Sequence, residues 1–325
     1  FIFQGISAIS TYTNFRLILL ILLTSIGFTN FSSGQNDHTR NSEKEIYNQI
    51  QFRHDNDFFL LSDRYYTSGL YLSYGKKLKK GLFKSGNEQL MFSIGQEIIT
   101  PTNTKSTEIN DLDRPYVGFM GIKSGWSFAE NSTNIEVDFL LGFAGKASGA
   151  GGFQRFYHNT FVVADAPKWV GEMNNSFHAN LYVRYVYEWQ IAPNPFSIHL
   201  AVNPEIAIGT RDIYFNPEII TYFGRRNSLA SSIAYNRIGP TNREIFFSFR
   251  FGYRFVGHNA LLEGNALGDN SIFLVTPNKT VLYGGFDFKH RFGQNNYWFG
   301  YRINSSESKN TELHKYIILS YARNF

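Results

Sequence analysis

The chain of 325 residues contains 32 Phe, 20 Tyr and 28 Gly but no Cys, and its formal net charge is +5. The lack of Cys excludes a disulfide scaffold and any thiolate metal site, while the aromatic and Gly content favours strands and tight turns over helices. The densest basic cluster, KKLKK at residues 76–80, is typical of a solvated strand end, so the charge pattern argues against nucleic-acid binding.

The N-terminal region has the order of a secretory signal. Arg16 is the only charged residue before Asp37, and the apolar run LILLILL at residues 17–23 follows it directly. Small and polar residues come next, which predicts a signal peptide over residues 1–34 with cleavage near Gly34. Because the chain does not begin with Met, we expect the start of this peptide to be missing. An uncleaved anchor is the alternative, since FIFQGISAIS upstream is also apolar.

The remainder, residues 35–325, alternates between apolar and polar residues with a period of two. In IEVDFLLGFA (135–144), for example, Ile135, Val137 and Phe139 share one face and Glu136 lies on the other. This period predicts β-strands, and many of the runs are longer than the strands of soluble domains. The predicted strands lie near residues 46–57, 66–79, 88–99, 115–128, 135–144, 181–191, 196–209, 212–224, 245–255, 279–291, 295–305 and 314–325.

The apolar face of these strands could point either into a protein core or toward lipid. A transmembrane β-barrel is favoured by the long strands, by Tyr and Trp near strand ends, by the preceding signal and by the terminal Phe325. The predicted fold is therefore an all-β, transmembrane, antiparallel barrel of about 12 strands with both termini on the periplasmic side. A secreted two-layer β protein is the alternative.

Loop lengths then predict which end of the barrel each connection occupies. Short turns at 129–134, 192–195 and 292–295 are assigned to the periplasmic side. The longer connections are assigned to the extracellular side, and they lie near residues 58–65, 100–114, 146–176, 225–242 and 257–278.

Several segments resemble those of the LpxR-type lipid A 3′-O-deacylases, in order and spacing, along most of the mature chain. The resemblance implies a twelve-stranded outer-membrane barrel that is a calcium-dependent hydrolase. Its substrate would be lipid A or lipopolysaccharide, from which it would remove the 3′-linked acyloxyacyl chain at the outer leaflet. The matching segments are DNDFF (55–59), SDRYYTSGLYLSYG (62–75), GQEIITP (95–101), DRPYVG (113–118), GGFQRFYHNTFVVADAPKW (151–169) and HNALLEGNALGDNS (258–271).

The resemblance also implies roles for individual residues. Asn56 and Asp57 match the Asn-Asp pair of the family, with a catalytic and calcium-binding role, and Thr67 matches its strand-two threonine. Gln154 and His158 match the Gln-x-x-x-His element that supplies the catalytic histidine.

Three further positions are assigned to substrate binding. They are Arg114, Lys105, which is the residue nearest to the family's active-site lysine, and Asp165. Asp165 is adjacent to Ala164, which stands where the family has a glutamate. This departure leaves the acyl-group selectivity and the level of activity open.

The residue pattern is consistent with these roles. In the first strand Asp55 and Asp57 share the lumenal phase, so the strand must end or bulge at Asn56 if Asn56 and Asp57 serve one site. Thr67 is expected on the neighbouring wall, and oxygen-only ligands suit a hard cation such as calcium.

The second group of residues suits base catalysis. The glycines before residue 153 predict a tight turn followed by a short helix, on which Gln154 and His158 are spaced i, i+4 on one face. A histidine can act as general base on water.

Two other functions remain open at this stage. An outer-membrane phospholipase A would also need His, a carboxylate and calcium, but it would normally add a paired serine nucleophile, and no Ser is evidently paired here. A catalytically inactive structural or porin-like barrel is the third interpretation, which Ala164 favours. The deacylase is expected to be a monomer.

Overall fold

The computed structural model describes residues 46–57, 64–83, 85–161 and 165–325. The predicted signal peptide, residue Ala164 and most of the 58–65 connection lie outside the described residues. Contacts divide the described residues into two units, a smaller one that includes His158 and Asp165 and a larger, second one within Glu45–Tyr157 and Ala166–Phe325. No helix in the described ranges combines the length and the apolar character needed to cross a membrane.

The second unit is an antiparallel β-barrel. Its described residues form fourteen strand segments, the helix α2 (Ala260–Glu263) and the part of helix α1 (Ala150–Phe161) that precedes His158. The segments are β1 (Asn48–Asn56), β2 (Tyr65–Lys77), β3 (Asn87–Thr100), β4 (Val117–Glu130), β5 (Thr133–Ala144), β6 (Ser176–Ala192), β7 (Ser197–Val202), β8 (Glu205–Gly209), β9 (Asp212–Asn216), β10 (Glu218–Arg225), β11 (Glu244–Asn259), β12 (Thr280–Phe292), β13 (Asn295–Asn304) and β14 (His314–Asn324).

Fourteen segments make twelve wall strands because two strands are interrupted near proline. β7 and β8 both pair with β6, and Pro204 lies between them. β9 and β10 both pair with β11, and Pro217 separates them. Proline lacks the N–H that the ladder requires, so each strand breaks there without leaving the wall. Pairing of β1 with β14 closes the barrel, which confirms the predicted fold.

The alternation of residue types places apolar side chains outside and polar ones inside. Along β1, Ile50 and Phe52 are about half exposed on the outer surface (49% and 50%), whereas Gln51, Arg53 and Asp55 line the lumen. An apolar outer belt around a polar lumen is the arrangement of a membrane barrel and the reverse of a soluble sandwich.

The lumen holds a cavity of about 670 Å³ that is lined by paired charges. Arg53 makes two hydrogen bonds to Asp55, at 2.7 and 2.5 Å. Across the lumen, Arg250 bridges Glu218 and Asp287, both at 2.9 Å. The Arg53–Asp55 pair lies within β1, whereas the Arg250 pairs link β11 to its neighbours β10 and β12. All of these pairs satisfy charges that would otherwise be costly to bury.

The connection predicted at 225–242 lies at the other end of the barrel from the one expected. We call the end where β1 begins and β14 ends the turn end, and the opposite end the loop end. β10 runs toward the turn end, so residues 226–243 must start there. The extracellular assignment of this connection was wrong, because strand direction decides the end of the barrel and loop length does not.

Residues 226–243, here called the plug, fold back into the barrel. The side chain of Asn87, at the start of β3, donates to the carbonyl of Ala230 at 3.0 Å, and Gln89 donates to that of Asn236 at 3.0 Å. Ile233 packs in a buried cluster with side chains of the wall. The plug also contributes residues to the lining of the cavity, so it forms the floor of the cavity at the turn end.

One buried carboxylate anchors the plug. Glu244, at the start of β11, is fully buried and pairs with Arg291 at 3.0 Å. It also accepts a hydrogen bond from the hydroxyl of Ser232 at 2.6 Å and bonds from the backbone amides of Asn227 and Ile233 at 3.3 and 3.2 Å.

Burial lowers the pKa of Arg237, also in the plug, to about 10, so its guanidinium stays charged at neutral pH.

Because the plug occupies the lumen, we expect the protein to exclude sugars that a porin admits. Liposomes that contain the purified protein should not swell in arabinose. Glu244→Ala removes the anchor and leaves Arg291 buried without its carboxylate, a change that typically costs about 3–5 kcal/mol. This variant should unfold at a lower temperature and permit swelling.

Glu108→Ala, at an exposed carboxylate of the 101–116 connection, is the matched control and should behave as the parent. Swelling with the parent protein would contradict the assignment of a closed lumen.

Candidate functional site

Asp57 and Thr67 meet at the loop end, where β1 gives way to β2. The backbone N–H of Asp57 donates to the carbonyl of Thr67 at 3.4 Å, and Oδ2 of Asp57 accepts from the backbone N–H of Arg64 at 2.9 Å. Asp57 is fully buried, and β1 ends at Asn56, as required for both residues to serve one site. We refer to Asn56, Asp57, Arg64 and Thr67 as the corner.

Thr67 lies at an irregularity in the pairing of β2 with β3, where the register shifts between Tyr66 and Ser68. Its hydroxyl lies 2.7 Å from that of Thr100 at the end of β3. The corner is therefore tied to a third strand through the Thr67–Thr100 contact.

Three side chains of the corner carry oxygen atoms that could act as metal ligands. The carboxylate of Asp57, the amide oxygen of Asn56 and the hydroxyl of Thr67 suit a hard cation such as calcium and do not suit a soft metal. Within the ranges that the structure describes, no group of three or more His, Asp or Glu residues could hold a metal ion. A calcium ion at the corner would therefore have to draw on amide, hydroxyl or carbonyl oxygens beside Asp57.

Gln154 lies on helix α1, which follows a glycine turn as predicted. The turn has a left-handed Gly149, with φ 71°, directly before the helix. A Cβ on Gly118 of β4 would lie 2.2 Å from the Cβ of Ala150, so this glycine lets the helix begin close to the wall.

Gln154 is held by a residue that sequence reasoning missed. The indole N–H of Trp169 donates to Oε1 of Gln154 at 2.8 Å, and the indole stacks on the ring of Tyr116 at 5.2 Å. Trp169 has a positive φ of 55°, which no sequence pattern reveals. Nε2 of Gln154 is buried and has no hydrogen-bond partner among the described residues, so this N–H remains available as a donor.

His158 and Asp165 belong to the smaller unit. His158 lies four residues after Gln154 on helix α1, within the predicted helix, and its side chain is buried. Asp165 is exposed. The catalytic role of His158 and the substrate-binding role of Asp165 stay predictions.

The other two residues predicted to bind substrate lie on the 101–116 connection. Arg114 is buried, pairs with Glu307 at 3.1 Å and donates to the carbonyl of Leu261 at 3.4 Å, so it joins three connections of the loop end. Lys105 is exposed. Their contact with substrate also stays a prediction.

One carboxyl near helix α1 is electrostatically unusual. Burial raises the pKa of Glu172, while the cations Lys146 and Arg155 oppose the shift. A carboxyl whose pKa is raised by burial retains its proton to higher pH than an exposed carboxyl does.

A closed barrel with twelve wall strands, an apolar outer belt and a charged lumen defines an outer-membrane β-barrel protein. The chain belongs to the LpxR family of outer membrane proteins, whose family model matches residues 17–325. No curated protein sequence matches the chain.

The barrel is similar to the solved structure of LpxR from Salmonella typhimurium, with a TM-score of 0.72 and 18% identity over 85% of this chain and 100% of that one. At this identity the likeness shows the fold. The β domain of the Bordetella autotransporter BrkA is more distant, with a TM-score of 0.44 and 8% identity over 86% of this chain and 99% of that one.

Proposed function

We propose that the protein is a calcium-dependent lipid A 3′-O-deacylase of the outer membrane, with its loop end facing the outer leaflet. Lipid A or lipopolysaccharide is its substrate, and the reaction is hydrolysis of the ester that carries the 3′-linked acyloxyacyl chain. The proposal rests on the family match over residues 17–325. The corner supports it, because the fully buried carboxylate of Asp57 at the barrel rim suits cation binding, with Asn56 and Thr67 as further oxygen ligands.

In this proposal His158 removes a proton from the attacking water as general base. Nε2 of Gln154, buried and without a partner among the described residues, donates a hydrogen bond to the ester oxygen that gains negative charge. Asp57 and Asn56 would hold calcium, and the hydroxyl of Thr67 would serve the same site. A bound calcium ion would supply Lewis-acid stabilisation of the developing oxyanion.

The test is an incubation of the purified full-length chain, in detergent, with lipid A and separately with a diacyl phospholipid. We expect lipid A to lose its 3′-acyloxyacyl chain in mass spectra, and we expect EDTA to stop the reaction and added calcium to restore it. The phospholipid should remain intact.

Each alternative has its own outcome in the same assay. Release of fatty acid from the phospholipid would identify a phospholipase. A folded barrel that leaves both lipids unchanged would identify an inactive member of the family, as Ala164 would allow.

A further inference from the structure

Tyr65, the first residue of β2, has a backbone conformation that a bulky residue rarely adopts. Its φ is 62°, in the left-handed region, and its side chain is only 2% exposed. Two of the other described non-Gly residues with positive φ are Asn131 and Asn236, and asparagine enters this region readily. A buried tyrosine there is strained, and such strain persists only where the surrounding contacts enforce it, which is often at functional sites.

The hydroxyl of Tyr65 joins two long connections of the loop end. It donates to the carboxylate of Asp113 at 3.0 Å, and it accepts from the backbone N–H of Glu312 at 2.7 Å. The hydroxyl of Thr102 lies 3.1 Å from the same oxygen and 2.7 Å from Oδ2 of Asp113. The 101–116 and 305–313 connections are therefore both fastened to one phenol oxygen.

Charged and aromatic groups surround the ring of Tyr65. The guanidinium groups of Arg64 and Arg114 lie 5.4 and 5.9 Å from the ring centre, and the ring of His314 meets it edge-on at 5.6 Å. Cation–π contacts of this kind stabilise the ring face. They restrict rotation of the side chain, so the position of the hydroxyl determines the position of the Tyr65 backbone.

The backbone of Tyr65 leads directly to the corner. Arg64, whose backbone N–H donates to Asp57, precedes it, and Thr67, whose carbonyl accepts from Asp57, lies two residues after it. Fixing Tyr65 therefore fixes both backbone groups that orient Asp57. We propose that Tyr65 is a positioning residue, whose hydroxyl holds the corner in the geometry needed for calcium. This inference rests on the proposed function, since the corner is the proposed calcium site.

The first experiment reads the corner without any catalysis. In Tyr65→Phe the ring and the backbone strain remain but the hydroxyl is lost. Hydrogen exchange at the backbone amides of Arg64 and Asp57 should become roughly five- to tenfold faster, because the hydrogen bonds that hold Tyr65 are gone. Tyr321→Phe is the matched control, since it removes a hydroxyl bonded to Asn295 at 2.8 Å at the turn end, and it should exchange as the parent does.

The second experiment measures the calcium requirement. Partners behind a metal ligand typically contribute about 10- to 100-fold in metal affinity. Tyr65→Phe should therefore raise the calcium concentration for half-maximal deacylation by about this factor, with a nearly normal rate at saturating calcium. Calcium titration by calorimetry should give the same shift, and a general folding defect would lower the rate at every calcium concentration instead.

Thr102→Val provides a second variant, at an exposed residue that carries little of the fold. It should speed hydrogen exchange at Arg64 and Asp57 and raise the calcium requirement, as Tyr65→Phe does, but by a smaller factor. If the variants exchange faster than the parent and the parent does not deacylate lipid A, the inference is supported and the proposed function is refuted. Parent-like exchange in both variants, with or without a change in activity, would overturn the inference.

Discussion

His158→Gln should lose nearly all lipid A deacylation while the protein still folds as a barrel. A positioned general base typically accelerates a reaction by about 10²- to 10⁴-fold, and a glutamine amide cannot accept the proton of water at neutral pH. The barrel should remain intact because its closure depends on the pairing of its strands, and His158 lies on helix α1. Initial rates on purified lipid A at saturating calcium measure the loss, and heat-modifiable mobility in detergent gels verifies the fold.

His258→Gln is the matched control. It changes a histidine at the loop end of β11 that pairs with Glu263 at 2.9 Å, and it should keep the parent rate. Near-parent activity of His158→Gln, or an acyl group trapped on a serine during turnover, would rule out water activation by His158.

The barrel fold could be predicted from the sequence because every strand of a membrane barrel alternates apolar and polar residues with a period of two. The run 245–255, for example, falls inside β11, Glu244–Asn259. The plug could not be predicted from the sequence in the same way. Length suggested an extracellular loop, whereas the anchor Glu244 and its contacts with residues far along the chain become visible only when the strands are assembled.

Some residues of the candidate site could likewise be predicted from the sequence, and others could not. Residue pattern was enough to expect Asp57 and Thr67 on neighbouring walls, because register follows from alternation. Tyr65 and Trp169 could not be expected, because a positive φ on an aromatic residue contradicts its local preference. Such conformations are enforced by distant partners, among them Glu312 for Tyr65 and Gln154 for Trp169.

The corner and the plug divide the roles of buried charge in the barrel. Glu244 is surrounded by a cation and by donors of the chain itself, so its charge is used to hold structure. Asp57 is also fully buried, and its carboxylate accepts from the backbone amide of Arg64 at the loop end of the barrel. In the proposed function the charge of Asp57 serves to bind calcium, so its removal should affect activity far more than stability.

Asp57→Asn should abolish calcium-dependent deacylation, since it preserves the size of the side chain and an oxygen that can accept from the amide of Arg64 but removes the negative charge. Even residues behind a ligand contribute about 10- to 100-fold in metal affinity, so loss of the ligand's own charge should cost at least that much. Excess calcium should not restore the rate, and calorimetric titration should show no saturable binding. Asp111→Asn, in the 101–116 connection, where Ser106 donates to the carboxylate at 2.8 Å, should retain both. Full activity of Asp57→Asn at ordinary calcium concentrations would remove Asp57 from the site.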